Sequence, residues 1–189
     1  MKVRIALPTV IFFVTLIAFN PDGTYILPFL AAILHELGHI VVMAILKIPV
    51  KAVTVFPFGV DIRSGERLTS YTADIVLSGA GVAVNGLCII AAGWMPPSGG
   101  KDIFISANLL LILVNLLPIK GLDGGQLLEK FFLLFLEPSK VDIIINALSF
   151  VAVVLIGAVA VWLLFFTGGN FTLLLMCGYL FVTLFLKRG

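Results

Sequence analysis

The sequence predicts an all-α polytopic membrane protein with about six transmembrane helices and a short cytoplasmic-side β-hairpin or strand after the second. Hydrophobic residues make up 61% of the 189 and charged residues only 12%. Soluble domains carry about a quarter charged residues, and the mean hydropathy here is +1.20. The apolar residues also fall in long runs separated by Gly, Pro and Asn turn clusters, as membrane spans do. A formal charge of +2 with no Lys/Arg run argues against nucleic-acid binding. Cys88 and Cys177 lie in separate apolar segments, so neither a disulfide framework nor a Cys metal motif is read from them.

Met1 to Phe19 opens with Lys2 and Arg4 and continues as an apolar run. The residues Leu16 to Asn20 offer no small-x-small cleavage site, so the run is expected to be a retained first span. Asn20-Pro21-Asp22-Gly23 is a turn cluster. The second span covers about Ile26 to Leu46. Lys47 to Tyr71 is the one extended polar stretch, and Val53 to Ile62 within it is rich in β-branched and aromatic residues, which predicts a strand or hairpin around Pro57-Phe58-Gly59. A third span, about Thr72 to Trp94, carries Ser78, Gly79, Ala80, Gly81, Ala83 and Gly86, small residues that permit close helix approach. A fourth apolar run, Ile103 to Leu117, meets Pro118 and three glycines and must break there. Gln126 to Leu136 resumes as a helix that Pro138 is expected to end. Two more spans follow at about Val141 to Phe166 and Phe171 to Leu186. The whole reads as one domain over residues 1–189, with a core at about 26–136 and a C-terminal helix pair at about 141–186.

Six spans place eleven of the twelve Lys and Arg residues on one side and leave Lys101 alone on the other. By the positive-inside rule both termini are then cytoplasmic, as is the 47–71 loop.

Chemistry enters at Leu34 to Ile40, LHELGHI. His35, Glu36 and His39 stand inside an apolar run, where ionisable residues are expensive and point to function. On a helix, residues i and i+4 share a face, so the two imidazoles can grip one metal ion with Glu36 beside it, an arrangement suited to zinc hydrolysis. A catalytic zinc takes a third protein ligand and keeps a position for water. Of the remaining acids, Asp123 stands out. It follows the Pro118 break and is flanked by Gly121, Gly124 and Gly125, which allow close backbone approach. The plain alternative for Asp123 is a helix N-cap, and the two roles are compatible.

The pair HELGH and Asn115-Leu-Leu-Pro118-Ile-Lys-Gly-Leu-Asp123-Gly124 resembles the intramembrane zinc metalloproteases of the site-two protease family (peptidase family M50), most closely its stage IV sporulation FB branch. The resemblance covers roughly Ile26 to Leu136. It departs in the third span, where many relatives have Gly-Pro-x-x-Asn and this chain has Gly81-Val82-Ala83-Val84-Asn85. The resemblance implies one Zn2+ held by His35, His39 and Asp123, with Glu36 as general base. It implies Asn85 as a donor to the oxyanion or substrate backbone, with an interhelical hydrogen bond as the alternative. Asn115 and Pro118, with Gly124, would shape the break. Since a peptide bond inside a substrate helix is shielded, the segment Val53 to Ile62, with Val53, Val55 and Phe56, is the candidate edge to pair with unwound substrate by strand addition, the alternative being a covering loop. The implied activity is cleavage of a membrane-associated protein near the cytoplasmic face of a bacterial cell membrane. A pro-sigma factor in sporulation is the implied substrate class, and inhibitory membrane proteins are the implied partners. The reading from a different class is an inactive membrane scaffold or ion-binding transporter, which would have no need of Glu36.

Overall fold

The computed structural model describes residues 2–5, 23, 26–56, 59–64, 70–167 and 177–178. It divides into two compact units, one running through Asn115 and one from Leu116 onward. The first contains β1 (Lys2–Ile5), α1 (Ile26–Ile45), β2 (Val50–Phe56), β3 (Gly59–Ser64), α2 (Tyr71–Gly93) and α3 (Gly99–Asn115).

α1 is 20 residues of nearly unbroken apolar sequence, about 30 Å at 1.5 Å per residue, which matches a bilayer's hydrocarbon core. Ile26, Leu30, Ile33, Leu37 and Val41, spaced three or four apart, stay exposed along one stripe. Ala31, His35, Gly38 and Met43 are buried on the other face. The helix stops in a Schellman turn. Lys47 N–H donates to the Ala44 carbonyl at 3.1 Å and Ile48 N–H to that of Met43 at 2.8 Å, with Lys47 in the left-handed region at φ 54°.

α1, α2 and α3 pack on one another. Gly38 makes the α1–α2 approach possible, because a β-carbon there would lie 2.9 Å from the Ala80 carbonyl oxygen and 2.8 Å from Val84 Cγ2. Ser70 caps α2 by accepting from Ala73 N–H, and the Ser98 hydroxyl accepts from Lys101 N–H in the first turn of α3. The Lys101 ammonium donates to the carbonyls of Gly93 and Met95 at the C-terminal end of α2.

The strands form one sheet in the order β1-β2-β3. β2 and β3 are antiparallel, with Val53 opposite Ile62 and Val55 opposite Val60. β1 lies parallel to β2, with Val3 opposite Val53 and Ile5 opposite Val55. Two expectations change here. The first span cannot begin at Met1, because Lys2–Ile5 is strand; the rest of that run, to residue 22, lies outside the described residues. Val53, Val55 and Phe56 belong to the middle strand, so within the expected edge segment Val53 to Ile62 only the β3 part lies at an outer edge of the sheet; among the described residues the other outer strand is β1. Residues 57 and 58, between the two strands, also lie outside the described residues.

In the second unit the chain turns through Leu116–Leu122 into α4 (Asp123–Phe132) and α5 (Pro138–Thr167). Pro138 begins α5, where the expectation had it ending the preceding helix. Proline's fixed φ and missing N–H suit the first helical position, whose donor has no intrahelical partner anyway. Ile119, Ala152 and Val153 form the buried cluster of this unit, with Leu117, Leu122 and Ile156 packed against it.

Three described helices, α1, α2 and α5, are long and apolar enough to cross a membrane, which marks an integral membrane protein. α3 has 17 residues, about 25 Å. The expected last span, from Phe171 to Leu186, lies outside the described residues except for Cys177 and Gly178.

Candidate metal centre

His35 and His39 lie one helical turn apart on α1, and their rings are 5.0 Å apart between centroids. Their Nε2 atoms face each other at 3.3 Å. What those nitrogens carry follows from the other side of each ring. His39 Nδ1 meets the Leu77 carbonyl oxygen at 2.9 Å, which can only accept, so His39 donates from Nδ1. His35 Nδ1 meets Asn85 Oδ1 at 2.5 Å and likewise donates. A neutral imidazole carries one N–H, so both Nε2 atoms present lone pairs, and two lone pairs at that separation repel. A cation between them turns the repulsion into coordination. A second ring nitrogen donating to a carbonyl is the usual support of a metal-bound histidine.

Space is kept open at the same point. A β-carbon on Gly81 would lie 2.5 Å from Nε2 of both histidines. The missing side chain leaves a cradle where the two lone pairs meet, and two imidazole nitrogens are donors that transition-metal ions take.

Asn85 is fully buried. Its Nδ2 donates to Asn108 Oδ1 at 2.7 Å and to the Ala31 carbonyl at 3.4 Å. The sequence left Asn85 open between a donor to the oxyanion or substrate backbone and an interhelical hydrogen bond, and both its amide hydrogens are engaged within the helix bundle. Glu36 is half-buried on α1 beside His35.

The second unit holds Asp123 at the first position of α4, where the positive end of the helix favours a carboxylate. Its Oδ2 is buried. The N-cap position belongs to Leu122, which makes no side-chain cap, so Asp123 is not the cap. Gly124 and Gly125 serve the turn before the helix, because a β-carbon on either would run into the carbonyl of Leu116 or of Ile119. The Ile119 N–H donates to the Leu117 carbonyl and the Leu122 N–H to that of Ile119, with Gly121 at φ 106° between. Asn115 donates to the Leu111 carbonyl at 3.0 Å at the end of α3.

Two buried residues were missed by the sequence reading. Asn108 and Ser149 are both fully buried, each one of the few polar residues within an apolar run. That signal, applied to Asn85, would have found both. Val53, Val55 and Phe56 are placed by their backbone alone, in the middle strand of the sheet.

No family model matches the chain. Over 115 residues it is 32% identical to stage IV sporulation protein FB of Bacillus subtilis strain 168, a match covering 56% of this chain. The chain spans 38% of the length of that relative. Its fold is similar to that of the site-2 protease from Methanocaldococcus jannaschii, with a TM-score of 0.63, 18% sequence identity, and coverage of 96% of this chain and 88% of that one. The likeness to the archaeal site-2 protease is one of fold, and the likeness to the sporulation protein is one of sequence over part of each chain.

Proposed function

We propose that the chain is an intramembrane zinc metalloendopeptidase. The observation that carries this reading is the pair of facing Nε2 lone pairs on His35 and His39, 3.3 Å apart over the gap left by Gly81. Asp123 is the third ligand in this reading, since each of the three residues offers one atom of a kind that metal ions take. Bound there, zinc supplies a Lewis acid for the scissile carbonyl and a water whose pKa is lowered to about 7.

The chain's own residues do the rest. Glu36 accepts a proton at its carboxylate and returns it to the leaving amine nitrogen. Leu77 and Asn85 hold the two rings with Nε2 bare. The helices around His35 keep it 4% exposed, which restricts water to what the site admits. A peptide bond within a substrate helix is shielded, so the substrate must be extended first, and the free edge of β3 offers its backbone new partners.

The substrate class that the family resemblance implies is a membrane-associated protein, with a pro-sigma factor as the first candidate and inhibitory membrane proteins as regulators. Cleavage takes place near the cytoplasmic face, with both termini cytoplasmic. Asn115, Pro118 and Gly124 hold the shape of the break that carries Asp123.

The test compares Glu36→Gln with Asp123→Asn in matched detergent, reading zinc content and single-turnover cleavage of a candidate pro-sigma factor. Glu36→Gln leaves the ligands in place, so zinc stays bound while cleavage falls by about 10²- to 10⁴-fold. Asp123→Asn loses zinc as well, because a neutral amide replaces a carboxylate ligand poorly. Zinc binding without any cleavage in the wild type would favour the ion-binding or scaffold reading.

A further inference from the structure

We infer that Asn108 and Asn85 form a two-amide relay that sets the ring tautomer of His35, which makes Asn108 a positioning residue for a ligand it does not touch. The inference rests on the reading above only in calling His35 a ligand. The relay starts at the Phe104 carbonyl, which can only accept. Asn108 Nδ2 donates to it at 2.8 Å, so Asn108 must turn Oδ1 the other way. That oxygen accepts from Asn85 Nδ2 at 2.7 Å, and the Ala31 carbonyl takes the same amide group at 3.4 Å. Asn85 therefore presents Oδ1 to His35 Nδ1 at 2.5 Å. Asn85 and Asn108 are 0% exposed and His35 is 4%, so each mismatched pair carries a full desolvation cost.

An amide side chain can face either way, which a backbone carbonyl cannot. If Asn85 flipped, its NH2 would face His35 Nδ1, and the ring proton would have to move to Nε2, closing the lone pair that a metal needs. Asn108 forbids the flip, because it would set Asn85 Oδ1 against Asn108 Oδ1 and the Ala31 carbonyl, both acceptors. His39 needs no such device, since its Nδ1 donates to the Leu77 carbonyl. The relay therefore controls one histidine and leaves the other as an internal standard.

The chain has only two histidines, so full-length protein labelled with ring-¹⁵N histidine in detergent reports each tautomer directly. The measurement is made metal-free at pH about 8, above the usual histidine range. Wild type is expected to show Nδ1–H on both rings. Asn108→Leu removes the acceptor that orients Asn85, so His35 should acquire an Nε2–H population while His39 stays unchanged. Zinc affinity of that variant should fall about 10- to 100-fold. An unchanged His35 in Asn108→Leu, with wild-type zinc affinity, overturns the relay. Equal changes at both histidines overturn it too, by showing a folding role. A tautomer shift confined to His35 in a protein that binds no zinc upholds the relay and removes the metalloprotease reading.

Discussion

The backbone N–H of Lys120 donates to the hydroxyl of Ser149 at 2.8 Å, tying the segment after the Pro118 break to the long helix α5. Pro118 has no N–H, and that of Ile119 is spent on the Leu117 carbonyl. Lys120 therefore supplies the donor that fixes the turn from outside. The Ser149 hydroxyl also reaches the carbonyls of Ile145 at 2.7 Å and Pro118 at 3.3 Å. Ser149→Ala leaves the Lys120 N–H and Pro118 carbonyl without this partner, a loss of about 1–3 kcal/mol. Thermal unfolding in detergent should show it. Because Asp123 lies three residues beyond Lys120, zinc affinity should drop as well. A variant with wild-type stability and zinc content would show that the turn holds without Ser149.

Gly81 sits where the two Nε2 atoms converge, and even one methyl group there would lie 2.5 Å from both. Gly81→Ala must push the rings apart or displace α2, at a cost of about 1–3 kcal/mol. In zinc affinity that is roughly a five- to 150-fold loss. Gly86→Ala on the same helix is the control, since a β-carbon there meets nothing within 4 Å. Competition against a chelator of known affinity separates the two variants. Equal affinity in both would mean that the gap at Gly81 has no bearing on metal binding.

How far the sequence could be read depended on whether the deciding contacts are local. HELGH is legible because both histidines lie on one helix and their spacing alone puts them on one face. The break at Pro118 is legible for the same reason, since a missing N–H acts within one turn. Pro138 was misread because proline both stops one helix and starts the next, and only the following apolar run settles which. The place of β2 between two strands was not legible, because its partner β1 is nearly fifty residues away, and four residues at the start of an apolar run carry little strand signal. Asn108 stayed hidden in a similar way. Its meaning depends on an amide on another helix, which periodicity within α3 does not reveal.

Orientation can be tested from the sheet as well as from the charges. β1 and β2 are paired, so Lys2–Ile5 and Val50–Phe56 must lie on the same side of the membrane. In the proposed topology the positive-inside split puts that side in the cytoplasm. Reporter fusions after Arg67 should therefore read as cytoplasmic, and fusions after Gly23 and Gly99 as extracytoplasmic. The inverse pattern would leave the sheet intact but place it away from a cytoplasmic substrate, and the pro-sigma factor proposal would then be abandoned.

The free edge of β3 is the sharper test of how substrate is held. In an antiparallel pair, successive residues of one strand direct their N–H groups alternately toward the partner strand and away from it. Of Val60 and Asp61, opposite Val55 and Thr54 on β2, one therefore donates toward β2 and the other toward the open edge. Proline removes the donor at either place, but the consequences differ. At the inward position it breaks the β2–β3 ladder, so stability and cleavage should fall together. At the outward position the sheet stays intact, and only a strand added by the substrate loses a partner. One of Val60→Pro and Asp61→Pro should thus keep wild-type thermal stability and zinc content while cleaving a candidate pro-sigma factor several-fold more slowly, in line with about 0.5–1.5 kcal/mol for one hydrogen bond. Val55→Pro on the central strand should cost stability whichever way its N–H points, because β2 has a partner on both sides. If the variant that preserves the sheet cleaves at the wild-type rate, the substrate does not pair with β3, and its extended segment must be held elsewhere, at the outer edge of β1 or by the helices around His35.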